Sequence, residues 1–176
     1  MNMIAAGVRP GDAPNHSERT AKMLTRFEVF IREDLVDAAG EGLIKDIEDL
    51  NISGAKSARF IRVTEIEGDL PRKDAKRIAA ELLADPVSQR CVIGRAGGGM
   101  TKGAWVIEVR FNPGVTDTVA ESTLKGIADM KIKGAASAKT ATKVLLRGRL
   151  AAAQVDTLSR KLLANPVIQS YSIEKN

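Results

Sequence analysis

The sequence predicts an α+β protein of two tandem ferredoxin-like modules, each with the order β-α-β-β-α-β and a mainly antiparallel sheet. Three observations lead to this prediction. The 176 residues are 44% hydrophobic and 28% charged, which is a globular composition. The second half of the chain repeats the first at a fixed offset of 80 residues. Within each copy, segments with the period of a strand alternate with segments with the period of a helix.

The internal repeat sets residues 27–93 beside residues 107–173 without a gap, and 21 of the 67 positions are identical. The longest matching run, Leu82-Leu-Ala-x-Pro-Val-x-Gln89, returns as Leu162-Leu-Ala-x-Pro-Val-x-Gln169. Two copies are too few for a stacked solenoid, so a duplicated domain is predicted. The expected organisation is a disordered leader over 1–25, module 1 over 26–93, a glycine-rich linker over 94–104 and module 2 over 105–174. The natural start, Met1 or Met23, is left open.

Each copy begins with a half-buried strand, in which apolar and polar residues alternate. The apolar positions are Phe27, Val29 and Ile31 in the first copy and Ile107, Val109 and Phe111 in the second. A helix follows. Its start is capped by Asp37 in the first copy and, in the second, by Asp117 or by Thr118 with Glu121 three residues later.

Gly54 and Gly134 are predicted to end this helix. A β-rich stretch comes next, over 57–67 and 137–147, as one long strand or a bent pair. The second helix shows an apolar stripe at helical spacing: Ala75, Ile78, Ala79, Leu82 and Leu83, with Val155, Leu158, Leu162 and Leu163 in the second copy. Proline at 86 and 166 stops it, because the residue before a proline is pushed out of the helical region. The last strands are expected over 87–93 and 167–173.

The segment from Gly94 to Gly103 holds five glycines in ten residues and predicts a flexible linker, since neither phosphate-binding glycine motif fits it. A ferredoxin-like sheet leaves one face without helices. We expect those two faces to stack, rich in aliphatic residues, as an internal pseudo-dimer or between chains of a homo-oligomer. Residues 27–93 carry ten Lys/Arg and fourteen Asp/Glu, a net charge of −4, whereas residues 107–173 carry ten and five, a net of +5. The two halves should therefore attract each other.

The residue inventory excludes most catalytic chemistry. Cys91 is the single cysteine and His16 the single histidine, so no disulfide, structural zinc site or nucleophilic triad can be assembled. Acidic groups at Glu33-Asp34 and at Asp46, Glu48 and Asp49 are interpreted as solvated faces rather than Mg²⁺ ligands. No catalytic, cofactor-binding or metal-binding residue is predicted. The sequence has no long apolar window, which favours a cytoplasmic protein without membrane contact.

Two stretches of the second copy resemble a known family. Lys161 to Ile173, KLLANPVIQSYSI, is similar to the C-terminal signature of PurS, the small subunit of phosphoribosylformylglycinamidine synthase, and Pro113-Gly-Val-Thr-Asp117 is similar to that family's turn after its first strand. In the first copy, Leu35-Val-Asp-Ala-Ala-Gly40 and Leu82-Leu-Ala-Asp-Pro-Val87 resemble the same two segments. Ordinary PurS is a single module, and tandem PurS-like modules resemble the N-terminal region of some large synthetase subunits.

The resemblance implies a non-catalytic assembly role in the fourth step of purine synthesis. Such modules join the glutaminase that releases ammonia to the ATP-dependent synthetase that consumes it. The chain would be either a free subunit or a detached N-terminal region. Two alternatives from other classes are a regulatory module that binds an amino acid or nucleotide between its halves, and an RNA-binding protein. The RNA hypothesis rests on a basic stretch in the second copy, without the aromatic residues that stack bases: Lys131, Lys133, Lys139, Lys143, Arg147 and Arg149.

Overall fold

The computed structural model describes residues 23–96 and 100–176. Most of the predicted leader and the centre of the predicted linker lie outside the described residues. The strands are β1 (Leu24–Ile31), β2 (Ala55–Gly68), β3 (Gln89–Ile93), β4 (Trp105–Phe111), β5 (Ala135–Gly148) and β6 (Gln169–Lys175). The helices are α1 (Ala38–Asp49), α2 (Arg72–Arg77), α3 (Thr118–Asp129) and α4 (Ala152–Leu158). α2 and α4 continue as π-helical turns over Ile78–Leu83 and Ser159–Leu163.

All described strands join one antiparallel sheet in the order β3-β1-β2-β5-β4-β6. The α+β class with an antiparallel sheet is therefore confirmed. The β-rich stretch of each copy is one strand of 14 residues, the first of the two alternatives that the sequence left open.

The two repeats meet through β2 and β5, which pair along their whole length. In this register Arg62 lies opposite Thr142, its own equivalent at the offset of 80. On one side of this pair Ile61 faces Lys143, and on the other Val63 faces Ala141. These two pairs interchange when the repeats are exchanged, so a local two-fold axis passes through the Arg62–Thr142 pair.

Within the chain, the expected stacking of one helix-free face on the other is wrong, whereas stacking between chains of a homo-oligomer stays a prediction. The repeats pair edge to edge, within one sheet. A long strand such as β2 carries on its free edge a row of backbone N–H and C=O groups that need partners. β5 supplies those partners, which face-to-face stacking would not do.

Each half of the sheet also draws on both repeats. β1 pairs only with the second part of β2, from Ile61 to Glu67, so the first part of β2 extends beneath repeat 2. α1 follows it, because Leu43 and Ile47 share a hydrophobic core with residues of β4, β5 and α4. In the same way Ile127 of α3 packs with β1, β2 and α2 of repeat 1. The repeats thus exchange their first helix and half of their long strand.

The aspartate caps explain how the exchanged segments are fixed. Asp37 accepts the N–H of Gly40 on one carboxylate oxygen, at 3.1 Å, and the N–H of Phe60 in β2 on the other, at 2.8 Å. Asp117 does the same for Ala120, at 2.9 Å, and Thr140 in β5, at 2.7 Å. Each carboxylate therefore caps a helix and continues the strand ladder beyond its last β1 or β4 partner. Asp117, rather than Thr118, is the cap in the second copy.

The first helices end earlier than predicted. Asn51 and Lys131, with φ of 56° and 60°, follow the C-caps in the left-handed region, and Ile52 donates its N–H to the carbonyl of Ile47 at 3.2 Å. This is the Schellman arrangement that terminates a helix. Gly54 instead directly precedes β2. A Cβ added to Gly54 would lie 2.4 Å from the carbonyl oxygen of Arg149. Glycine at this position permits the two repeats to come close.

Candidate functional site

The two family-like segments of the second copy are adjacent in space. The turn after β4 and the turn before β6 are joined by the N–H of Asn112, which donates to the carbonyl of Ile168 at 2.9 Å. In repeat 1 the N–H of Arg32 donates to the carbonyl of Ser88 at 3.0 Å in the same way. The segments that resemble PurS therefore form one surface in each repeat.

The turn before the last strand is fixed by its own polar side chains. Asn165 accepts the N–H of Val167 on Oδ1 at 3.1 Å, and Gln169 accepts the N–H of Asn165 on Oε1 at 2.9 Å. Asp85 and Gln89 form the same two bonds in repeat 1, at 3.0 and 3.1 Å. This geometry accounts for the Asp or Asn and the Gln of the repeated run.

The hydrogen bonds of these turns do not account for the repeated valine, Val87 or Val167. Val87 is 76% exposed and Val167 is 81% exposed, at the tips of two turns held by these hydrogen bonds. Leu35 and Val36 are exposed on the neighbouring turn of repeat 1, and Ile168 is exposed beside Val167. We call these two patches the turn surfaces. Exposed apolar side chains that lie together as a patch, rather than singly, are a feature of protein contact surfaces.

A second feature lies on the helix-free face, where the repeats meet. Six charged side chains from β1, β2, β5 and β4 interact there, and we call them the charge cluster: Arg26, Glu28, Glu65, Glu108, Arg110 and Lys143. The helix-free face, which the sequence predicted to be rich in aliphatic residues, thus also carries ion pairs. Ile61, Val63 and Leu145 form an apolar cluster on the same face.

Glu28 is the buried centre of the charge cluster, with none of its surface exposed. It accepts hydrogen bonds from Arg26 at 2.8 Å, from Lys143 at 2.7 Å and from the N–H of Ala96 at 2.8 Å. Lys143 also donates to the carbonyl of Ala96 at 3.2 Å. The predicted flexible linker is therefore anchored on the sheet at Ala96, and Ala104 at its far end is buried as well.

The pKa shifts of Glu65 and Glu108 favour the charged forms of these two carboxyl groups. Hydrogen bonds from Arg110 lower the pKa of Glu65 to about 2, with Arg26 acting in the same direction against the effect of burial. Burial acts to raise the pKa of Glu108, but its ion pairs with Arg26 and Arg110 outweigh burial and lower the pKa overall. Arg26 and Arg110 thus hold the pKa values of Glu65 and Glu108 below their ordinary values. The cluster is a structural site.

The other candidates from the sequence are separated. Cys91 lies in β3 opposite Val29, where burial raises the pKa of its thiol to about 11, so it is not a thiolate near neutral pH. His16 lies outside the described residues. Asp34 pairs with Arg32 at 3.0 Å. In residues 23–96 and 100–176 no group of three or more His, Cys, Asp or Glu side chains could hold a metal ion.

The basic stretch of the second copy does not form one surface. Lys143 is buried in the charge cluster, and Arg147 donates to the backbone carbonyl of Met100. Lys143 is therefore not available to phosphates, which weakens the RNA-binding hypothesis. None of the described helices has the length and apolar character that crossing a membrane requires.

A third feature, on the helix-covered face, was not anticipated from the sequence. A groove of about 430 Å³ lies at the local two-fold axis, between α3 and the π-helical turn after α2. Arg62 and Thr142 form part of its floor, and Leu82, Leu83 and Val119 line its sides. A sheet face that is covered by helices is usually apolar. The threonines on this face of β2 and β5 were therefore the sequence signal for the groove: Thr64, Thr140 and Thr142.

Comparison with known proteins identifies the second repeat. Residues 104–176 match the family model of PurS, described as phosphoribosylformylglycinamidine (FGAM) synthase. No curated protein matches the chain. The matched residues include β4, α3, β5, α4 and β6, and with them the second turn surface and the Asp117 cap. Residues 104–176 are therefore similar to the PurS family, whose description names FGAM synthase, and this match covers less than half of the chain.

Proposed function

We propose that the chain is a non-catalytic assembly component of FGAM synthase. In this role it joins the glutaminase to the ATP-dependent synthetase and supports the transfer of ammonia between them, in the cytoplasm. The observation that carries the proposal is the PurS match together with the placement of the PurS-like segments on exposed turns. A catalytic subunit would concentrate its matched residues around a reactive group.

We further propose that repeat 1, over residues 26–93, is a second PurS-like module. It shares with repeat 2 the aspartate that bonds both helix and strand, and the turn that presents an exposed valine. The local two-fold axis relates the two turn surfaces, so a chain with both can hold two partner proteins. In this proposal 94–104 is a connecting strap and 105–174 is the second module.

The chemistry of the described residues supports a role without catalysis. A glutaminase of the cysteine type needs a thiolate beside a histidine. Cys91 is a neutral thiol in a strand. The charged side chains of the charge cluster already pair with one another. The chain should therefore act on the other subunits rather than on glutamine or ATP.

The test is reconstitution with purified glutaminase and synthetase subunits. Adding the chain should raise glutamine-dependent FGAM formation and leave ammonia-dependent FGAM formation unchanged, because only the first needs the two subunits joined. Val87→Ser and Val167→Ser should weaken this stimulation and co-elution with the partners. Leu24→Ser is the matched control, since Leu24 is also exposed but lies at the other end of β1. Equal glutamine-dependent activity with and without the chain would contradict the proposal.

A further inference from the structure

The groove at the local two-fold axis has a polar floor between apolar walls. Arg62 is the one charged side chain among the described residues that line it, and the lining contains no carboxylate. Leu82, Leu83 and Val119 provide apolar contacts. A volume of about 430 Å³ falls in the range of small-molecule sites. The groove therefore suits an anion with an organic body.

The guanidinium of Arg62 is held in place without being saturated. Its Nη2 donates to the carbonyl of Leu83 at 3.2 Å and to Oε1 of Gln89 at 2.9 Å. These bonds use one of its three nitrogens. Thr142 faces Arg62 across the strand pair and Thr64 lies two residues along β2, so both hydroxyls are on the same face. No hydrogen bond within the described residues engages either hydroxyl.

Comparison across the axis shows that the groove is not required by the fold. Its threonines occupy the places that apolar side chains fill on the other side, with Thr64 against Val144, Thr123 against Leu43 and Thr140 against Phe60. On that side, the equivalent space is filled by packed apolar side chains. The groove is therefore open because three threonines stand where larger apolar side chains would fill it.

We propose that this groove binds a small phosphate monoester. The phosphate would lie against Arg62 and the hydroxyls of Thr64 and Thr142, which together offer donors to three oxygens, whereas a carboxylate has two. The organic group would pack on Leu82, Leu83 and Val119. A free amino acid is disfavoured, because its ammonium group would have no carboxylate partner in the groove. This inference does not depend on the assembly role.

The test is a titration of the full chain with AMP, inorganic phosphate and glutamine, followed by amide NMR shifts and calorimetry. AMP should bind and shift residues of β2, β5 and α3. Inorganic phosphate should bind more weakly at the same site, because it has no group for the apolar wall, and glutamine should not bind.

Two variants and a control decide whether the groove is responsible. Arg62→Gln should weaken AMP binding by about tenfold or more, which corresponds to about 1.4 kcal/mol. Thr140→Phe introduces the residue found across the axis and should close the groove. Arg72→Gln removes an exposed arginine of α2 outside the groove and should have no effect. The proposal is overturned if AMP fails to bind at about 10 mM, if Arg62→Gln binds it unchanged, or if glutamine binds in the groove instead.

Discussion

Repeats 1 and 2 differ on the helix-free face where they meet, and agree at their turns. Repeat 1 contributes Arg26, Glu28 and Glu65 to the charge cluster, a net charge of −1. Repeat 2 contributes Glu108, Arg110 and Lys143, a net charge of +1. At the offset of 80, Lys143 corresponds to Val63 and Glu65 to Leu145, so neither repeat could supply the other's charges.

This difference shows what duplication permits. Two copies of repeat 1 paired in this geometry would bury two excess negative charges, and two copies of repeat 2 would bury two excess positive ones. Only the pairing of unlike repeats is neutral, and buried unpaired charge is strongly unfavourable. The turns before β3 and β6, by contrast, share their proline, valine and glutamine, and each is stabilised by hydrogen bonds within its own repeat. The charge cluster therefore favours pairing of unlike repeats, whereas both turn surfaces present an exposed valine.

The largest effect is expected from separating the repeats. A protease site introduced at Gly97 to Gly99 should give two fragments that co-elute in gel filtration. Co-elution should persist at about 1 M salt, where the Debye length is only about 3 Å. The reason is that α1 and α3 lie in cores shared with the other repeat, so separation requires unfolding. Two folded fragments eluting apart would show that the exchange of elements does not hold the halves together.

A charge deletion in the cluster should come next. Lys143→Met leaves Glu28 buried with Arg26 as its remaining cationic partner, and we expect a loss of about 3 kcal/mol in the free energy of unfolding, measured in urea. Lys139→Met, on the same strand but exposed, is the control and should cost less than about 0.5 kcal/mol. Equal stability of the two variants would mean that the cluster does not contribute to the junction.

The low pKa of Glu65 predicts a loss of stability in acid. Its pKa is about 2 in the folded protein against an ordinary value of 4.5, so the folded state binds fewer protons between these values. The stabilisation is complete above about pH 5 and is lost as the pH falls from 4.5 towards 2, with an upper limit of about 3 kcal/mol. Glu65→Gln should flatten urea midpoints over this range. Parallel pH profiles for the wild type and the variant would contradict the assignment.

The two aspartate caps offer the smallest and most closely matched comparison. Asp37→Ala removes the bonds to Gly40 and Phe60 and should cost about 1–2 kcal/mol. Asp117→Ala removes the equivalent bonds and also the one from the hydroxyl of Thr140. It should cost about 0.5–1.5 kcal/mol more in urea unfolding. A double-mutant cycle of Asp117→Ala and Thr140→Val measures that extra bond. A smaller loss for Asp117→Ala than for Asp37→Ala would show that the extra bond contributes nothing.

The sequence by itself determined the elements with local causes. Alternation at Phe27, Val29 and Ile31 specified a strand, and proline after Asp85 and Asn165 ended the second helices. The capping role of Asp37 and Asp117 followed from their position before an amphipathic segment. The turn segments carried the family resemblance, but neither their adjacency nor the exposure of Val87 and Val167 followed from the sequence.

Only the tertiary structure decided how the repeats combine. Strand pairing is made by backbone groups that every residue carries, so nothing in the side chains of β2 marked β5 as its neighbour. The exchange of α1 and α3 was equally hidden, because an apolar helix face specifies burial but not which sheet buries it. Glu28 in β1 and Lys143 in β5 are 115 residues apart in the chain. They become partners only because β5 pairs with β2, the strand that also pairs with β1. The groove at Arg62 arose in the same way, where residues from both repeats meet at an axis that neither repeat contains alone.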